Sequence, residues 1–211
     1  MAQQASTSVK PLWKRAINKA VNDTEKPAAT WFQLATIDQS TMQPRNRTVV
    51  FRGWLSELAE EGKHGTDICF TADSRHKKAS EAGACEVCWY LSGTRDQFRL
   101  QGRLEFHNKE VEPGGASESS GLALARYKAW NSMGKGTAAG HLGPPPGDPK
   151  DDRYDESEAR KQLSEHPPET LLLGVVHVDF VDHLHLGQPP FRRTFHHDTL
   201  QSEWVEREVN P

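Results

Sequence analysis

The chain has 211 residues and a formal net charge of −3, and 35% of its residues are hydrophobic. This length favours a single domain over residues 1–211 with a sizeable core. The small negative charge gives no electrostatic reason to expect binding to nucleic acid or to an anionic membrane. No apolar run approaches the roughly 20 residues that a membrane helix needs, and residues 1–10 lack an apolar signal core. We therefore expect a cytoplasmic protein, with an organelle transit segment as the alternative.

Hydrophobic periodicity predicts one helix followed mainly by strands. An apolar stripe at helical spacing places the first helix within residues 9–22. The Gly- and Pro-rich stretch 134–150 is too broken for regular structure, and the acidic stretch 151–165 predicts an exposed helix or mobile arm, so residues 134–168 form one irregular segment. Further helices are predicted at 74–81 and 122–132, and strands at 30–38, 45–53, 67–71, 86–91, 97–106, 171–180, 191–197 and 204–209.

These strands outnumber the helices and follow one another through hairpins. That order favours an antiparallel barrel with helices on its outside over a parallel α/β sheet. The clearest strand is 97–106, where Phe98, Leu100 and Leu104 alternate with polar residues. One face of this strand is therefore predicted to be buried. The sequence thus predicts a mainly β (α+β) fold.

The strand at 45–53 carries two arginines that fall on opposite faces. Side chains alternate along a strand, so Arg47, Val49 and Phe51 share one face while Val50 and Arg52 share the other. An arginine on an otherwise apolar strand face needs an anion. Two sources fit at this point: a carboxylate from a neighbouring strand, or a bound phosphate.

A second basic stretch follows the strand at 67–71. Thr71, Ser74, Arg75 and Lys77 lie where the next predicted helix begins, and backbone N–H groups at a helix start favour an anion. On the polar face of the 97–106 strand, the amide of Gln97 could recognise a heterocyclic carbonyl or N–H.

Two other patterns suggest metals. Cys85 and Cys88 have C-x-x-C spacing, but residues three apart on a strand face opposite ways and no second pair completes a zinc site. The histidines near the C-terminus allow metal ligation, proton donation near a redox group, or ordinary strand alternation. These histidines are His183, His185, His196 and His197. We expect that they hold no metal.

The basic segments and the Gln97 strand resemble, in order and spacing, motifs of the pyridoxamine 5'-phosphate oxidase-like family of FMN-binding split barrels. Residues 47–52 resemble its Arg-x-Val-hydrophobic-hydrophobic-Lys strand, with Arg52 replacing the final Lys. Residues 70–77 resemble its aromatic-Thr and Ser-Arg-Lys phosphate segment, and residues 96–102 its Arg-Gln-Val-Arg-Val-Glu-Gly strand, with Asp96 at the first place. Residues 192–195 resemble a stretch whose arginine closes on the flavin.

The resemblance implies a six-stranded antiparallel Greek-key split barrel that forms a homodimer with FMN at the subunit interface. It implies that Arg47 and Lys77 clamp the FMN phosphate with help from Arg75, and that backbone groups of residues 48–51 border the flavin ring. The full set of implied cofactor contacts is Arg47, Thr48, Val49, Val50, Phe51, Arg52, Thr71, Ser74, Arg75, Lys77, Gln97 and Arg192. Arg52 and Arg126 are the implied substrate contacts.

Departures from the family pattern separate this chain from the vitamin B6 oxidases proper. Their substrate helix reads Tyr-x-x-x-Arg-x-x-x-Ser, whereas this chain has Leu122, Arg126 and Trp130. Their C-terminal Trp and Arg-Leu-His are missing, and Trp89-Tyr90 resembles a divergent branch. The expected function is an FMN-dependent oxidoreductase acting on an unidentified small molecule, with no catalytic residue identified. The alternatives are a non-catalytic flavin carrier, a haem-binding barrel and an interaction module without ligand.

Overall fold

The computed structural model of the protein describes residues 11–61, 65–76, 80–108, 117–198 and 204–211, with the backbone alone at 117–120. Helices in these residues are few and short, and none of them is long and apolar enough to cross a membrane. They are α1 (Leu12–Asn22), α2 (Leu55–Leu58), α3 (Ser117–Asn131), α4 (Lys135–Gly140) and α5 (Glu156–Lys161). The strands are β1 (Trp31–Asp38), β2 (Gln43–Val50), β3 (Gly53–Trp54), β4 (Ile68–Asp73), β5 (Gly83–Leu91), β6 (Asp96–His107), β7 (Leu171–His185), β8 (Arg192–Asp198) and β9 (Trp204–Val209).

The strands form one antiparallel sheet in the order β2-β1-β5-β6-β7-β4-β3, and β8 and β9 extend it from β7. The two ends of this order are joined by the chain itself, because β2 continues through Phe51 and Arg52 directly into β3. Phe51 N–H donates to Thr30 O at 2.7 Å, and Arg52 N–H donates to Cys69 O at 2.8 Å. The sheet therefore curls into the expected ring of six strands, with β3 as the continuation of β2.

Alternating side chains fill the ring, as the sequence pattern predicts. On β6, Phe98, Leu100 and Leu104 are buried inside, while Gln97 and Gln101 lie on the outer face. A register shift between Gln101 and Gly102 brings β6 close to β7, where a Cβ at position 102 would lie 1.9 Å from a backbone oxygen. Only glycine fits this close approach.

Helix α1 closes one end of the ring. It starts after Pro11, and its apolar stripe turns Trp13 and Ile17 inward, where both are fully buried. The Trp13 ring packs edge-on against Trp54 and Trp204, at centroid distances of 5.9 and 4.9 Å. The N-terminal helix predicted from the sequence is thus confirmed, and its role is to cap the core.

The structure differs from the sequence prediction in two segments. Residues 74–76 form a turn and not the first turn of a helix, because the Asp73 carboxylate accepts the N–H of Arg75 at 2.9 Å. The stretch 134–150 contains helix α4, so the prediction that it lacks regular structure is wrong. Its Ala138 packs with Trp130 and Leu171, and this burial outweighs the low helix propensity of its glycines.

Candidate functional site

The two arginines of the β2–β3 stretch point to opposite sides, as strand alternation predicts. Arg47 faces the inside of the ring, where its guanidinium donates to the Thr36 hydroxyl and to Leu34 O. It also forms an ion pair with the Glu81 carboxylate, which is itself buried. Of the two anions considered for this arginine, the structure places a carboxylate beside it. That carboxylate comes from the chain before β5 and not from a strand.

Arg52 lies on the outer side, beside β4. Its Nε donates a long hydrogen bond of 3.4 Å to the Thr71 hydroxyl, and no carboxylate in the described residues pairs with it. Burial lowers the pKa of this guanidinium, with no opposing acidic neighbour. A half-buried cation without a counter-charge is a ready site for an anionic ligand.

The backbone next to Arg52 also has unused hydrogen-bonding capacity. Strand β2 pairs with β1 along one edge, and no strand of the described chain pairs with its other edge. An open edge presents N–H and C=O groups that a ligand can use. Residues 48–51, predicted to border the flavin ring, lie along this part of the chain, with Thr48 exposed and Val49 buried.

The Asp73 carboxylate stabilises the basic turn after β4 by pairing with Arg75. Arg75 donates to both oxygens of Asp73, at 2.9 and 2.6 Å, and to the backbone oxygens of His141 and Gly143. Burial alone would raise the pKa of Asp73, but the hydrogen bonds from Arg75 outweigh it and lower the pKa. Ser74 is exposed, and Lys77 lies outside the described residues. The phosphate contacts of these three stay predictions.

Gln97 lies on the outer face of the sheet, near the start of β6. Its amide has no hydrogen-bond partner among the described residues, and its cross-strand neighbours are Leu184 on β7 and then Arg193 on β8. On the opposite, inner face of the sheet, the neighbouring cross-strand row runs from Asp96 on β6 through His185 on β7 to Arg192 on β8. The arginine that shares a face with Gln97 is therefore Arg193.

This places the implied flavin contact Arg192 on the opposite side of the sheet from Gln97. Arg193 donates to both oxygens of Asp182, at 2.9 and 2.7 Å, and this ion pair fixes its guanidinium on the outer face. Sequence reasoning missed Arg193, because alternation along β8 shows only that Arg192 and Arg193 face opposite ways and not which of them shares a face with Gln97. The role of Arg192 at the flavin stays a prediction, and the geometry favours its neighbour.

Arg126, the implied substrate contact on α3, is buried. Its Nε donates to Leu171 O at 3.0 Å, and its Nη2 donates to Pro168 O. Burial lowers the pKa of this guanidinium. These contacts tie α3 to the start of β7, and a direct contact between Arg126 and substrate stays a prediction.

The histidines on the inner face are organised by one carboxylate. Asp96 Oδ1 lies 2.7 Å from His183 Nε2 and 2.8 Å from His185 Nδ1. Burial would raise the pKa of Asp96, but the hydrogen bonds, first of all that from His183, lower it to about 2. Within the described ranges, no group of three or more metal-ligating side chains has the geometry to hold a metal ion. Cys85 and Cys88 are free thiols.

Comparison with known proteins identifies the family of this chain. The family described as "Pyridoxamine 5'-phosphate oxidase, FMN-binding domain" matches residues 10–108. Pyridoxine/pyridoxamine 5'-phosphate oxidase 2 of Arabidopsis thaliana is 31% identical over 97% of this chain and 99% of its own length. The chain belongs to the pyridoxamine 5'-phosphate oxidase family of FMN-binding proteins. Its cofactor is accordingly FMN.

Two solved structures share the fold. A pyridoxamine 5'-phosphate oxidase-related, FMN-binding protein from Nostoc punctiforme is 28% identical and superposes with a TM-score of 0.78 over 97% of this chain and 99% of its own. PhzG from Burkholderia lata, in complex with tetrahydrophenazine-1-carboxylic acid, is 14% identical and has a TM-score of 0.67 over 98% and 95% of the two chains. The second likeness shows the split-barrel fold alone.

The residues of the outer face fit this cofactor. FMN carries a phosphate and a planar ring with a polar edge, so it needs a cation, hydroxyl or N–H donors, and an amide. Arg52 and Thr71 supply an unneutralised guanidinium and a hydroxyl, the open edge of β2 supplies backbone groups, and Gln97 supplies a free amide. Arg52 and Thr71 would hold an anionic group of FMN. Gln97 pairs with Leu184 of β7 whereas Thr71 pairs with Leu173, so within one chain the amide lies far along the sheet from this cation.

Proposed function

We propose that the protein is an FMN-dependent oxidoreductase that acts on a small molecule as a homodimer. The observation that carries the proposal is Arg52, a half-buried guanidinium that faces the outside of the ring without a carboxylate partner in the described chain. It stands in a chain that matches an oxidase over nearly its whole length. A positively charged, unneutralised site on this face supports binding of a phosphorylated cofactor.

The protein side of the reaction is positioning and electrostatics. When bound, FMN supplies the electron-transfer chemistry through its ring. Arg52 and Thr71 of one copy would bind an anionic group, and Gln97 of the second copy would orient the polar edge of the flavin by hydrogen bonding, because the two positions lie far apart within one chain. Because the cofactor carries the redox step, no side-chain nucleophile is required. Arg52 would also border the flavin, where it would contact substrate.

The homodimer is supported by apolar side chains exposed on the same face. Trp31 is 46% exposed, and Tyr90, the cross-strand neighbour of Gln97, is 47% exposed. Large aromatic side chains left in water next to a ligand face are typical of a protein interface. A second copy of the chain would cover them and enclose the flavin.

One specific substrate is favoured by the Arabidopsis relative, whose name assigns it pyridoxine and pyridoxamine 5'-phosphate. Against it stand Leu122 and Trp130, which replace the Tyr and Ser of the vitamin oxidase pattern. The buried Arg126 donates to main-chain oxygens, so its guanidinium is already engaged. We therefore expect little or no turnover of pyridoxine 5'-phosphate, and an unidentified small molecule as the substrate.

Absorbance spectra of the purified protein test the proposal in two steps. We expect flavin bands, either as purified or after adding FMN, that bleach under an anaerobic electron donor and return in air. Colourless protein that does not take up FMN would contradict the flavin site. Protein that binds FMN but is reduced by no reduced nicotinamide or pyridoxamine phosphate would instead favour a non-catalytic carrier. Efficient oxidation of pyridoxine 5'-phosphate would make this chain a vitamin oxidase despite its altered helix.

A further inference from the structure

A cavity lies on the inner side of the sheet, on the opposite face from Gln97. Its volume is about 380 Å³, within the range of small-molecule sites. Helix α1 forms an apolar wall with Trp13, Ala16 and Ala20, and the strands opposite form a polar wall that includes Asp96 and His196. This helix-capped cavity is separated from the outer face by the β6–β7–β8 sheet, so an occupant here would not touch the flavin ring of the same chain.

Two buried polar groups that line this cavity lack partners. Trp13 is fully buried, His196 is 3% exposed, and neither Trp13 Nε1 nor His196 Nε2 has a hydrogen-bond partner in the described part of the chain. His196 Nδ1 lies 3.2 Å from Glu206 Oε1. A buried polar atom without a partner costs free energy, and such atoms are few in natural proteins.

The mouth of the cavity carries charges of both signs. Lys19 and Arg192 are exposed cations, and Glu206 and Glu208 are exposed acids. Within the ranges that the structure describes, no ion pair joins either cation to either acid. Charges of both signs around one opening are complementary to a ligand that carries both charges itself.

The carboxylate deeper in the cavity is already committed. Asp96 accepts from both His183 and His185, and it therefore has little capacity left for an ammonium group. The charged end of a ligand is expected at the mouth, and its apolar part against α1. This arrangement suits a molecule with an apolar body and a zwitterionic head.

We propose that the helix-capped cavity binds a small zwitterion of the class of the apolar α-amino acids. Its carboxylate would lie near Lys19, its ammonium group near Glu206 and Glu208, and its side chain against Trp13 and Ala16 of α1. The site needs no flavin contact, so it stands or falls independently of the proposed oxidoreductase activity.

Calorimetric titration of the FMN-loaded protein tests the charge requirement. The probes are L-phenylalanine, phenylpropanoate, which keeps only the acid, and phenethylamine, which keeps only the amine. We expect L-phenylalanine to bind at least about tenfold more tightly than either analogue. Equal binding of all three, or no binding of any, would overturn the proposal, and the cavity would then hold ordered water only.

His196→Phe separates a ligand site from a packing role. Removing buried nitrogens without partners should leave the melting temperature of the free protein unchanged or raise it. Because His196 lies 3.2 Å from Glu206, the expected partner of the ammonium group, the same change should weaken L-phenylalanine binding and shrink its thermal shift. A lower melting temperature with unchanged probe affinity would show that His196 serves the fold alone.

Lys19→Glu offers a milder test on the surface of α1, with Arg15→Glu as its matched control. Both residues are exposed on the same helix, but only Lys19 borders the cavity. We expect Lys19→Glu to weaken L-phenylalanine binding several-fold and Arg15→Glu to leave it unchanged, while FMN content stays the same in both. Equal effects of the two changes would contradict the assigned position of the carboxylate.

Discussion

Arg47 and Arg52 are five residues apart on one stretch of chain, and they lie in opposite electrostatic environments. Arg47 turns into the ring and pairs with the buried Glu81 carboxylate. Arg52 turns outward and finds only the Thr71 hydroxyl among the described residues. One cation is neutralised by the protein, and the other is left to be neutralised by a ligand. The pair shows that a matching motif identifies the residue types, while the surrounding charges decide which of them is free to bind.

Removing the free cation should have the largest effect. We expect Arg52→Ala to weaken FMN binding by roughly 10- to 100-fold, since charge-assisted hydrogen bonds contribute about 1.5–3 kcal/mol and about 1.4 kcal/mol is a factor of ten. Fluorescence quenching of FMN titrated with apoprotein measures this. Arg52→Lys, which keeps the charge, should retain most of the affinity. Wild-type affinity in the alanine variant would mean that Arg52 is only a solvated surface cation.

The phosphate clamp that the family resemblance assigns to Arg47 requires its guanidinium to exchange Glu81 for the phosphate. On that hypothesis Arg47→Ala should weaken FMN binding by at least about tenfold, but less than Arg52→Ala because the exchange leaves Glu81 unpaired. The same titration measures it, with a melting curve to detect the destabilisation expected from leaving Glu81 buried and unpaired. Arg45→Ala is the matched control, since Arg45 is an exposed neighbour on β2 paired with Asp38. Unchanged flavin retention would contradict the phosphate clamp at Arg47, and a loss greater than that of Arg52→Ala would reverse the comparison.

Glu81→Gln tests the comparison by removing the carboxylate partner of Arg47 and leaving both arginines in place. Without its carboxylate partner, Arg47 becomes a second unneutralised cation, so FMN affinity should rise about two- to fivefold. Glu60→Gln, which removes an exposed acid paired with Lys128, should leave affinity unchanged. If Glu81→Gln instead lowers FMN affinity in a stably folded protein, Glu81 positions Arg47 for the phosphate and does not compete with it.

How much of this arrangement the sequence predicts depends on the range of the contacts involved. Alternation within one strand predicts the opposite faces of Arg47 and Arg52, because it depends only on neighbouring residues. The partner Glu81 could not be predicted, since it follows from the way the chain before β5 packs against β1 and β2. The same limit explains the turn at Asp73, where a side-chain contact to Arg75 replaces the predicted helix start.

More of the fold than of the site can be predicted from the sequence. Hairpin-linked apolar strands predict the antiparallel barrel, and the apolar stripe of α1 predicts its helix. Helix α4 was missed because its stability comes from contacts of Ala138 with Trp130 and Leu171, which local composition does not reveal. The choice of Arg193 over Arg192 required the cross-strand register of three strands.

Asp96 extends the comparison to an anion that the protein neutralises itself, and here the expected effect is smallest. Hydrogen bonds lower its pKa from 3.8 to about 2, so the carboxylate stabilises the fold above about pH 4 and loses this contribution as the pH falls towards about 2. Urea unfolding of the wild type and Asp96→Asn across this range measures the difference. We expect a steeper acid loss in the wild type; identical slopes would remove Asp96 as a cause.

The passage from β2 to β3 has a consequence for the apoprotein. Successive N–H groups of Phe51 and Arg52 bond to opposite neighbours, Thr30 on one side and Cys69 on the other. These two hydrogen bonds close the ring of strands at residues 51–52, and residue 52 carries the side chain that would bind the flavin. A cofactor bound to Arg52 would therefore also stabilise the two backbone hydrogen bonds that close the barrel. Deuterium uptake at these two amides would then report cofactor occupancy from within the backbone.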